Sequence, residues 1–344
     1  MLVVVHVALL IGCAVAIYLA CEWFVNAVEW LGVRLNMGTL AIGTVLAAIG
    51  TALPESVVTL VAVTMGNTPT SKEIGVGAAM GGPLVLATIA YGVTGWMLIR
   101  RKRAIGKRSL EGTGNGQRDL LENVDLSRLP SDQKWFLSIF IVKVSLGLVA
   151  FAIKPWFGLL FFAAYGLYFF KEMRADAETH SSADLEPLKL QPKRETPAGW
   201  AVLLQTIATL VIIFAASQLF VTQLEWAGPQ LGLSATVTAL LLSPVATELP
   251  EVMNAIIWVK QGKTSLALAN ISGAMMIQAT VPSGLGLLFT PWHFDGPLLY
   301  SGVITIVGIL YLLWLLQTGR FTSRRLSLSA GFYGIFALGL IFIA

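Results

Sequence analysis

The sequence predicts an all-α membrane protein with ten transmembrane helices in two inverted five-helix repeats. Three observations lead to this prediction: the composition is strongly apolar, the apolar stretches are long enough to cross a bilayer, and one half of the chain resembles the other. The chain is 56% hydrophobic and 12% charged, whereas a water-soluble protein carries about 25% charged residues. We therefore expect the chain to lie in a membrane.

Ten apolar stretches have the length of a membrane-crossing helix. They are residues 3–30, 37–65, 73–99, 135–153, 155–171, 198–226, 235–259, 264–290, 297–317 and 327–343. Both cysteines, Cys13 and Cys21, fall in the first stretch, so neither a disulfide framework nor a zinc site is predicted.

The basic residues are concentrated on one side of the predicted membrane protein. With ten spans, the segments after the odd-numbered helices share one side and hold 20 of the 23 Lys and Arg residues. The positive-inside rule assigns that side to the cytoplasm, so both termini of this multi-pass cell-membrane protein are expected outside it. The basic run Arg100–Arg108 flanks a membrane helix, which is typical of a topology signal. We therefore predict no nucleic-acid partner, and the lipid bilayer is the expected surrounding.

The chain contains an internal duplication. Residues 19–55 align without a gap to residues 215–251, and 12 of the 37 aligned pairs are identical. Both copies end in Leu-Pro-Glu, at Leu53–Glu55 and at Leu249–Glu251. Each half therefore carries one carboxylate inside an apolar stretch.

The two copies are predicted to have opposite orientations in the membrane. Because each repeat contains five helices, an odd number, the second copy enters from the other face. Inverted repeats of this kind are typical of secondary transporters, with the ion site near the midplane. The predicted division is a first repeat over residues 1–171, a cytoplasmic linker over 172–197 and a second repeat over 198–344.

Each copy also combines a helix-disrupting proline with a carboxylate. Pro54 and Pro250 have no backbone N–H to donate, so each frees a carbonyl one turn earlier, and we expect the helix to be broken near each proline. Glu55 and Glu251 follow directly, and an acid at membrane depth is costly and by default marks an ion path. Carboxylates and neutral oxygens suit a divalent cation. A simple kink with an acid reaching the membrane surface is the alternative, which the repetition of the pattern disfavours.

The motifs Gly50–Glu55 and Thr247–Glu251 resemble the two α-repeats of the cation/calcium exchanger superfamily, whose best-known branch is the sodium/calcium exchangers. The resemblance implies antiport of cations by alternating access, with a divalent metal as cargo, H⁺ or Na⁺ as counter-ion, and no cofactor. It implies that the paired glutamates and the threonines beside them bind the metal. These residues are Glu55, Glu251, Thr51 and Thr247.

The chain departs from the family pattern where sodium would bind. Family members usually carry Ser after each motif threonine, but Ala52 and Glu248 stand there. The following helices usually carry a Gly-Ser-Asn type segment, which is replaced by Gly81–Pro83 and Gly273–Met275. These losses favour H⁺ over Na⁺ as the counter-ion. They also leave open a non-transporting, exchanger-like protein with an altered ion site.

Glu248 and Met275 are the two further candidate site residues. Glu248 lies one helical turn before Glu251, and three crowded carboxylates cannot all stay ionised in a dry site. Glu248 is therefore interpreted as a third ligand or a proton carrier, with a purely structural acid as the alternative. The thioether of Met275 would favour a transition metal such as Mn²⁺ over Ca²⁺, unless it only fills apolar space.

Several points stay open at this stage. Glu22 could line the access path or make a structural hydrogen bond. Lys143 could neutralise an acid or reach the membrane surface, and we do not expect it in the ion site. No nucleophile–base pair is visible, so an enzyme is not predicted. The sequence does not indicate an oligomeric state.

Overall fold

A computed structural model describes residues 2–64, 69–109, 119–122, 124–174, 185–230, 232, 240–241 and 243–343 of the chain. Its α-helices are α1 (Leu2–Arg34), α2 (Thr39–Ala41), α3 (Ala48–Thr64), α4 (Pro69–Val85), α5 (Tyr91–Ser109), α6 (Leu129–Leu148), α7 (Phe157–Arg174), α8 (Gly199–Gln230), α9 (Ser243–Thr247), α10 (Leu249–Gln261), α11 (Thr264–Phe289), α12 (Gly296–Gln317), α13 (Ser323–Ser327) and α14 (Ala330–Ile343). Two π-helical turns, Ile42–Ala47 and Leu86–Ala90, lead into α3 and α5.

Six helical stretches of the described chain are long and apolar enough to cross a membrane. They are Val3–Arg34, Gly75–Ile105, Gly199–Phe220, Thr264–Phe289, Gly296–Gln317 and Ser323–Ile343. Large apolar side chains on the outside of the molecule, such as Val4 at 70% and Phe342 at 88% exposure, are the surface that lipid covers. The protein is an all-helical membrane protein, and the count of ten spans in inverted repeats stays a prediction.

Helix α11 forms the centre of the molecule, with α3, α4, α6, α7 and α10 packed around it. Two glycines allow a close approach of the π-helical turn Ile42–Ala47 to α11. A Cβ added to Gly273 would overlap the carbonyl oxygen of Thr44, and one added to Gly43 would lie 2.8 Å from Cβ of Ala269. Small residues let membrane helices pack backbone to backbone. The π-helical turn Ile42–Ala47 is therefore seated directly on α11.

The two proline motifs differ in local structure. In the second copy the helix is interrupted at Glu248, between α9 and α10, as the position of Pro250 predicts. In the first copy the predicted break at Pro54 is wrong, because α3 runs through this position from Ala48 to Thr64. The irregular backbone lies earlier, in the turn Ile42–Ala47. A helix can tolerate the one hydrogen bond that a proline removes, and π-helical turns often occur at functional sites.

Part of the predicted linker packs on the protein instead of extending into water. Leu188 is fully buried beside Ala27, Trp30 and Ala201, and Nε1 of Trp30 donates to the carbonyl of Glu186 at 2.9 Å. Exposed polar residues follow, at Lys193–Glu195, as the sequence predicts. The linker segment thus packs against α1 and α8, which also pack along each other.

Candidate ion-binding site

Two acidic side chains are buried at the break between α9 and α10. Glu248 occupies the break itself, with φ −87° and ψ 2°, and Glu251 lies in the first turn of α10. Their exposures are 0% and 1%. The N-terminal turn of a helix favours negative charge because its backbone N–H groups point outward. The break therefore places two carboxylates inside the protein where a cation could compensate them.

Gln278 of α11 fixes one of these acids. Its Nε2 donates a hydrogen bond to Oε1 of Glu248, and its side chain is 1% exposed. A hydrogen bond to a charged group is worth about 1.5–3 kcal/mol. Because this bond joins residues on two different helices, it ties the orientation of the Glu248 carboxylate to the packing of α10 on α11.

Gly82 of α4 lies directly against this pair. A Cβ added to Gly82 would overlap the amide oxygen of Gln278 and lie 2.8 Å from its Cδ and 2.9 Å from Oε1 of Glu248. The neighbouring Gly81 makes similar room for Pro244, whose Cβ would be 2.9 Å from an added Cβ. Gly82 therefore leaves space for Gln278 and Glu248, and Gly81 leaves space for Pro244.

Two buried asparagines that the sequence interpretation missed lie on α10 and α11, the helices that carry Glu251 and Gln278. Asn254 follows Glu251 by three residues, on the same face of α10, and Asn270 lies on α11 beside Gly43. Both are 0% exposed, and within the described chain neither amide has a hydrogen-bond partner. Buried amides normally find partners, so these groups are available to a ligand. The spacing from Glu251 was the sequence signal that could have identified Asn254.

The threonines of the two motifs donate to their own helices. Oγ1 of Thr51 donates to the carbonyl of Ala47 at 3.2 Å, and Oγ1 of Thr247 donates to the carbonyl of Pro244 at 3.2 Å. Because each hydroxyl uses only its hydrogen in this bond, the lone pairs of its oxygen can still accept a hydrogen bond or coordinate a metal ion.

Met275 and Glu55 complete the predicted set. Met275 is fully buried in the main apolar cluster. The side chain of Glu55 lies outside the described residues, although its backbone belongs to α3. The predicted pairing of Glu55 with Glu251 therefore stays a prediction.

The chemistry of the described site is that of hard oxygen ligands. Glu248 and Glu251 supply carboxylates, and Gln278 and Asn254 bring amide oxygens to the same part of the molecule. Such oxygens suit a divalent cation. Within the described ranges, no three or more His, Cys, Asp or Glu side chains cluster closely enough to hold a metal ion.

Glu22 does not belong to this site. Its Oε1 accepts from Nζ of Lys189 at 2.8 Å, and its side chain is 39% exposed. The hydrogen-bonding interpretation of Glu22 is therefore the one that the structure supports, and the partner belongs to the linker segment that packs on α1.

A second buried acid pair lies at the basic end of α6 and α7, outside the segments predicted to cross the membrane. Glu172 accepts from Oγ1 of Thr44 at 3.3 Å and from Arg128 at 3.5 Å. Asp132 is 2% exposed, and its Oδ1 has no partner in the described structure. Burial and the nearby charge of Glu172 raise the pKa of Asp132 to about 8, against the opposing charges of Lys171 and Arg128.

Comparison with known proteins identifies relatives along most of the chain. The family model described as sodium/calcium exchanger protein matches residues 5–171 and 201–343. Inner membrane protein YrbG of Escherichia coli (strain K12) is 26% identical over 89% of this chain and 86% of its own length. CaxA, a candidate antiporter of Alkalimonas amylolytica, is 23% identical over 86% of this chain and 83% of its own length.

Solved structures show the same fold. A crystal structure of the sodium-calcium exchanger NCX_Mj soaked with Na⁺ and Ca²⁺ superposes with a TM-score of 0.74 at 18% identity, covering 98% of both chains. A second structure of NCX_Mj, soaked with Na⁺ and Sr²⁺, superposes with a TM-score of 0.71 over 97% of this chain and 98% of that chain. At 18% identity the superposition establishes the fold alone.

Proposed function

Because this chain belongs to the sodium/calcium exchanger family, we propose that it is a secondary-active antiporter that exchanges a divalent metal cation for H⁺ or Na⁺ by alternating access. The observation that carries the proposal is the burial of Glu248 and Glu251 at a helix break inside a membrane protein. Two carboxylates buried this deeply are costly in a membrane protein and by default mark an ion path. A divalent cation supplies the charge that offsets them.

The metal ion is proposed to bind between Glu55 of the first repeat and Glu251 of the second. Glu248 would serve as a third ligand or as a proton carrier, with further oxygens from Thr51 and Thr247. The support is the oxygen-rich region around α10, to which Asn254 and Gln278 add amides. Ca²⁺ fits this oxygen set, and a contribution from the buried thioether of Met275 would shift the preference toward a transition metal such as Mn²⁺.

Protons are the proposed counter-ion. Gly81 and Gly82 offer no side-chain oxygen from α4, and Gln278 occupies the space beside them. The site therefore has fewer oxygens for additional monovalent cations and one acid more than the family pattern requires. An acid that takes up a proton when the metal leaves provides the coupling without a sodium site.

The proposed architecture is ten spans in two inverted repeats, residues 1–171 and 198–344, with the linker on the cytoplasmic side and both termini outside. The packing of α1 along α8, its counterpart in the duplication, supports this arrangement. A tag at either terminus should then be accessible on intact cells. A tag that becomes accessible only after permeabilisation would contradict this orientation.

Uptake by proteoliposomes tests the function directly. The purified protein is reconstituted and offered Ca²⁺, Mn²⁺ and other divalent ions, with a pH gradient and a Na⁺ gradient imposed separately. We expect metal uptake driven by the pH gradient in wild type and none in Glu251→Gln, because removing one charge from a divalent site weakens its Coulomb attraction by several kcal/mol.

Glu22→Gln is the matched control. It removes a carboxylate that pairs with Lys189 at the surface, where a salt bridge is worth at most about 1 kcal/mol, and it should transport like wild type. Absence of flux for every ion and gradient would support the alternative, a non-transporting relative of the exchangers. Wild-type flux in Glu251→Gln would refute the assigned role of this residue.

A further inference from the structure

Lys143 is a fully buried cation in the middle of α6. Its side chain is 0% exposed, and its ammonium donates to the carbonyl of Ala79 at 2.6 Å. The ammonium also lies 5.0 Å from the ring centroid of Phe140. It therefore does not reach the membrane surface. A buried charge at membrane depth is costly and is by default functional.

The carbonyl that Lys143 binds is the one that a proline frees. Pro83 lies inside α4, and the residue four positions earlier, whose carbonyl a helical N–H would normally bond, is Ala79. Lys143 supplies the missing donor. Pro83 itself stands where the exchanger pattern has a polar residue. The ammonium group of Lys143 on α6 therefore lies close to a position where the family's polar side chain is missing.

The ammonium lies near the proposed metal site. Ala79 precedes Gly82 by three residues, and in a helix the carbonyl oxygen of one residue lies roughly 3–4 Å from the Cα three residues on. A Cβ on Gly82 would lie 2.9 Å from Oε1 of Glu248. Taken end to end, these links place Nζ of Lys143 within about 10 Å of the Glu248 carboxylate.

We propose that Lys143 is a resident cation of the transport site, which takes the place of a transported monovalent cation beside the acids. This inference rests on the proposed metal antiport. When the divalent ion leaves, the ammonium compensates part of the carboxylate charge, so no sodium ion has to enter in its place. When the metal is bound, the same charge repels it and promotes its release.

The variant Lys143→Gln separates charge from hydrogen bonding, because the amide can still donate to the Ala79 carbonyl. Removing one positive charge about 10 Å from a divalent ion should raise metal affinity roughly 300-fold at an effective dielectric constant of about 20. We also expect Na⁺ to stimulate turnover in the variant and not in wild type. Lys143→Arg keeps the charge and should keep the wild-type affinity.

Lys154→Gln is the matched control. Lys154 is also buried, at 4% exposure, and donates to the carbonyls of Val149 and Trp292 at 2.6 and 2.8 Å. It lies in the connection between α6 and α7, and these two carbonyls belong to the segments that follow α6 and α11 and not to α4, so its variant should leave metal affinity unchanged.

Metal binding by titration calorimetry on the detergent-purified protein is measured beside flux. The inference would be overturned if Lys143→Gln bound the metal with wild-type affinity and its turnover did not respond to Na⁺. A lower turnover without a change in metal affinity would also overturn it. Both results would indicate that Lys143 acts through its hydrogen bond alone. If wild type binds metal but shows no flux, the antiport proposal fails while the affinity shift still decides the role of Lys143. Absence of metal binding in both proteins would overturn both.

Discussion

The substitution Gly82→Ala tests the geometry of the proposed site with a single methyl group. The added Cβ would overlap the amide oxygen of Gln278 and lie 2.9 Å from Oε1 of Glu248. Carbon and oxygen atoms pack at roughly 3.5 Å, so the end of Gln278 must move by about 1 Å. Because this is the tip of a flexible side chain, the protein can fold, but the hydrogen bond from Gln278 to Glu248 breaks.

The expected cost falls on function and not on stability. A hydrogen bond to a charged group contributes about 1.5–3 kcal/mol, which corresponds to roughly a 10- to 100-fold loss of apparent metal affinity. The thermal midpoint should stay close to that of wild type, because alanine favours a helix over glycine by about 1 kcal/mol. Metal uptake by proteoliposomes and thermal unfolding in detergent measure the two quantities.

Gly77→Ala is the control on the same helix. The nearest atom to an added Cβ at Gly77 is Cδ2 of Leu240 at 3.7 Å, an ordinary contact, so affinity should not change. In the double variant Gly82→Ala with Gln278→Ala, the overlap with the amide of Gln278 is gone, and the two losses should be less than additive. Wild-type affinity in Gly82→Ala would refute the role assigned to the contact between Gln278 and Glu248.

Two further predictions concern protons. Glu248→Gln should flatten the pH dependence of metal uptake and retain metal binding through Glu251, because one of the crowded acids is removed; strictly Na⁺-dependent transport that is indifferent to this change would exclude Glu248 as the proton carrier. Asp132 has a pKa of about 8 in the folded protein against 3.8 in the unfolded chain, so wild type should lose stability as pH rises from about 4 to 8, by at most about 1.4 kcal/mol per pH unit. Asp132→Asn lacks this loss, and its melting temperature should exceed that of wild type more at pH 8 than at pH 5; equal pH slopes would contradict the shift.

Much of the site could be predicted because its signals are local. A proline followed by a carboxylate inside an apolar stretch is unfavourable unless it has a use, and this pattern occurs twice. Glu251 was identified in this way and Glu248 by its position one helical turn earlier, and the structure buries both. Asn254 was missed although its spacing places it one turn from Glu251, because a single amide in an apolar helix is a much weaker signal than a repeated proline–carboxylate pair.

The residues that contact the buried glutamates could not be predicted from the sequence. Helix packing, and not proximity along the chain, determines which residues these are. Gln278 reaches Glu248 from another helix, and Gly82 matters through the side chain that it lacks. Lys143 could equally have reached the membrane surface. The carbonyl that it binds became available through Pro83, on a helix far from it in the chain.

The sequence by itself determined the class of protein and the duplicated motif, because hydrophobic content and the proline–glutamate pairs do not depend on how the helices pack. It did not determine the backbone at the two motifs. Leu53–Glu55 and Leu249–Glu251 are identical in sequence, yet α3 continues through the first while the helix breaks just before the second, at Glu248. The difference was decided by the tertiary structure: the backbone of the first copy is irregular where the turn Ile42–Ala47 packs on Gly273, and that of the second is irregular where Gln278 binds Glu248.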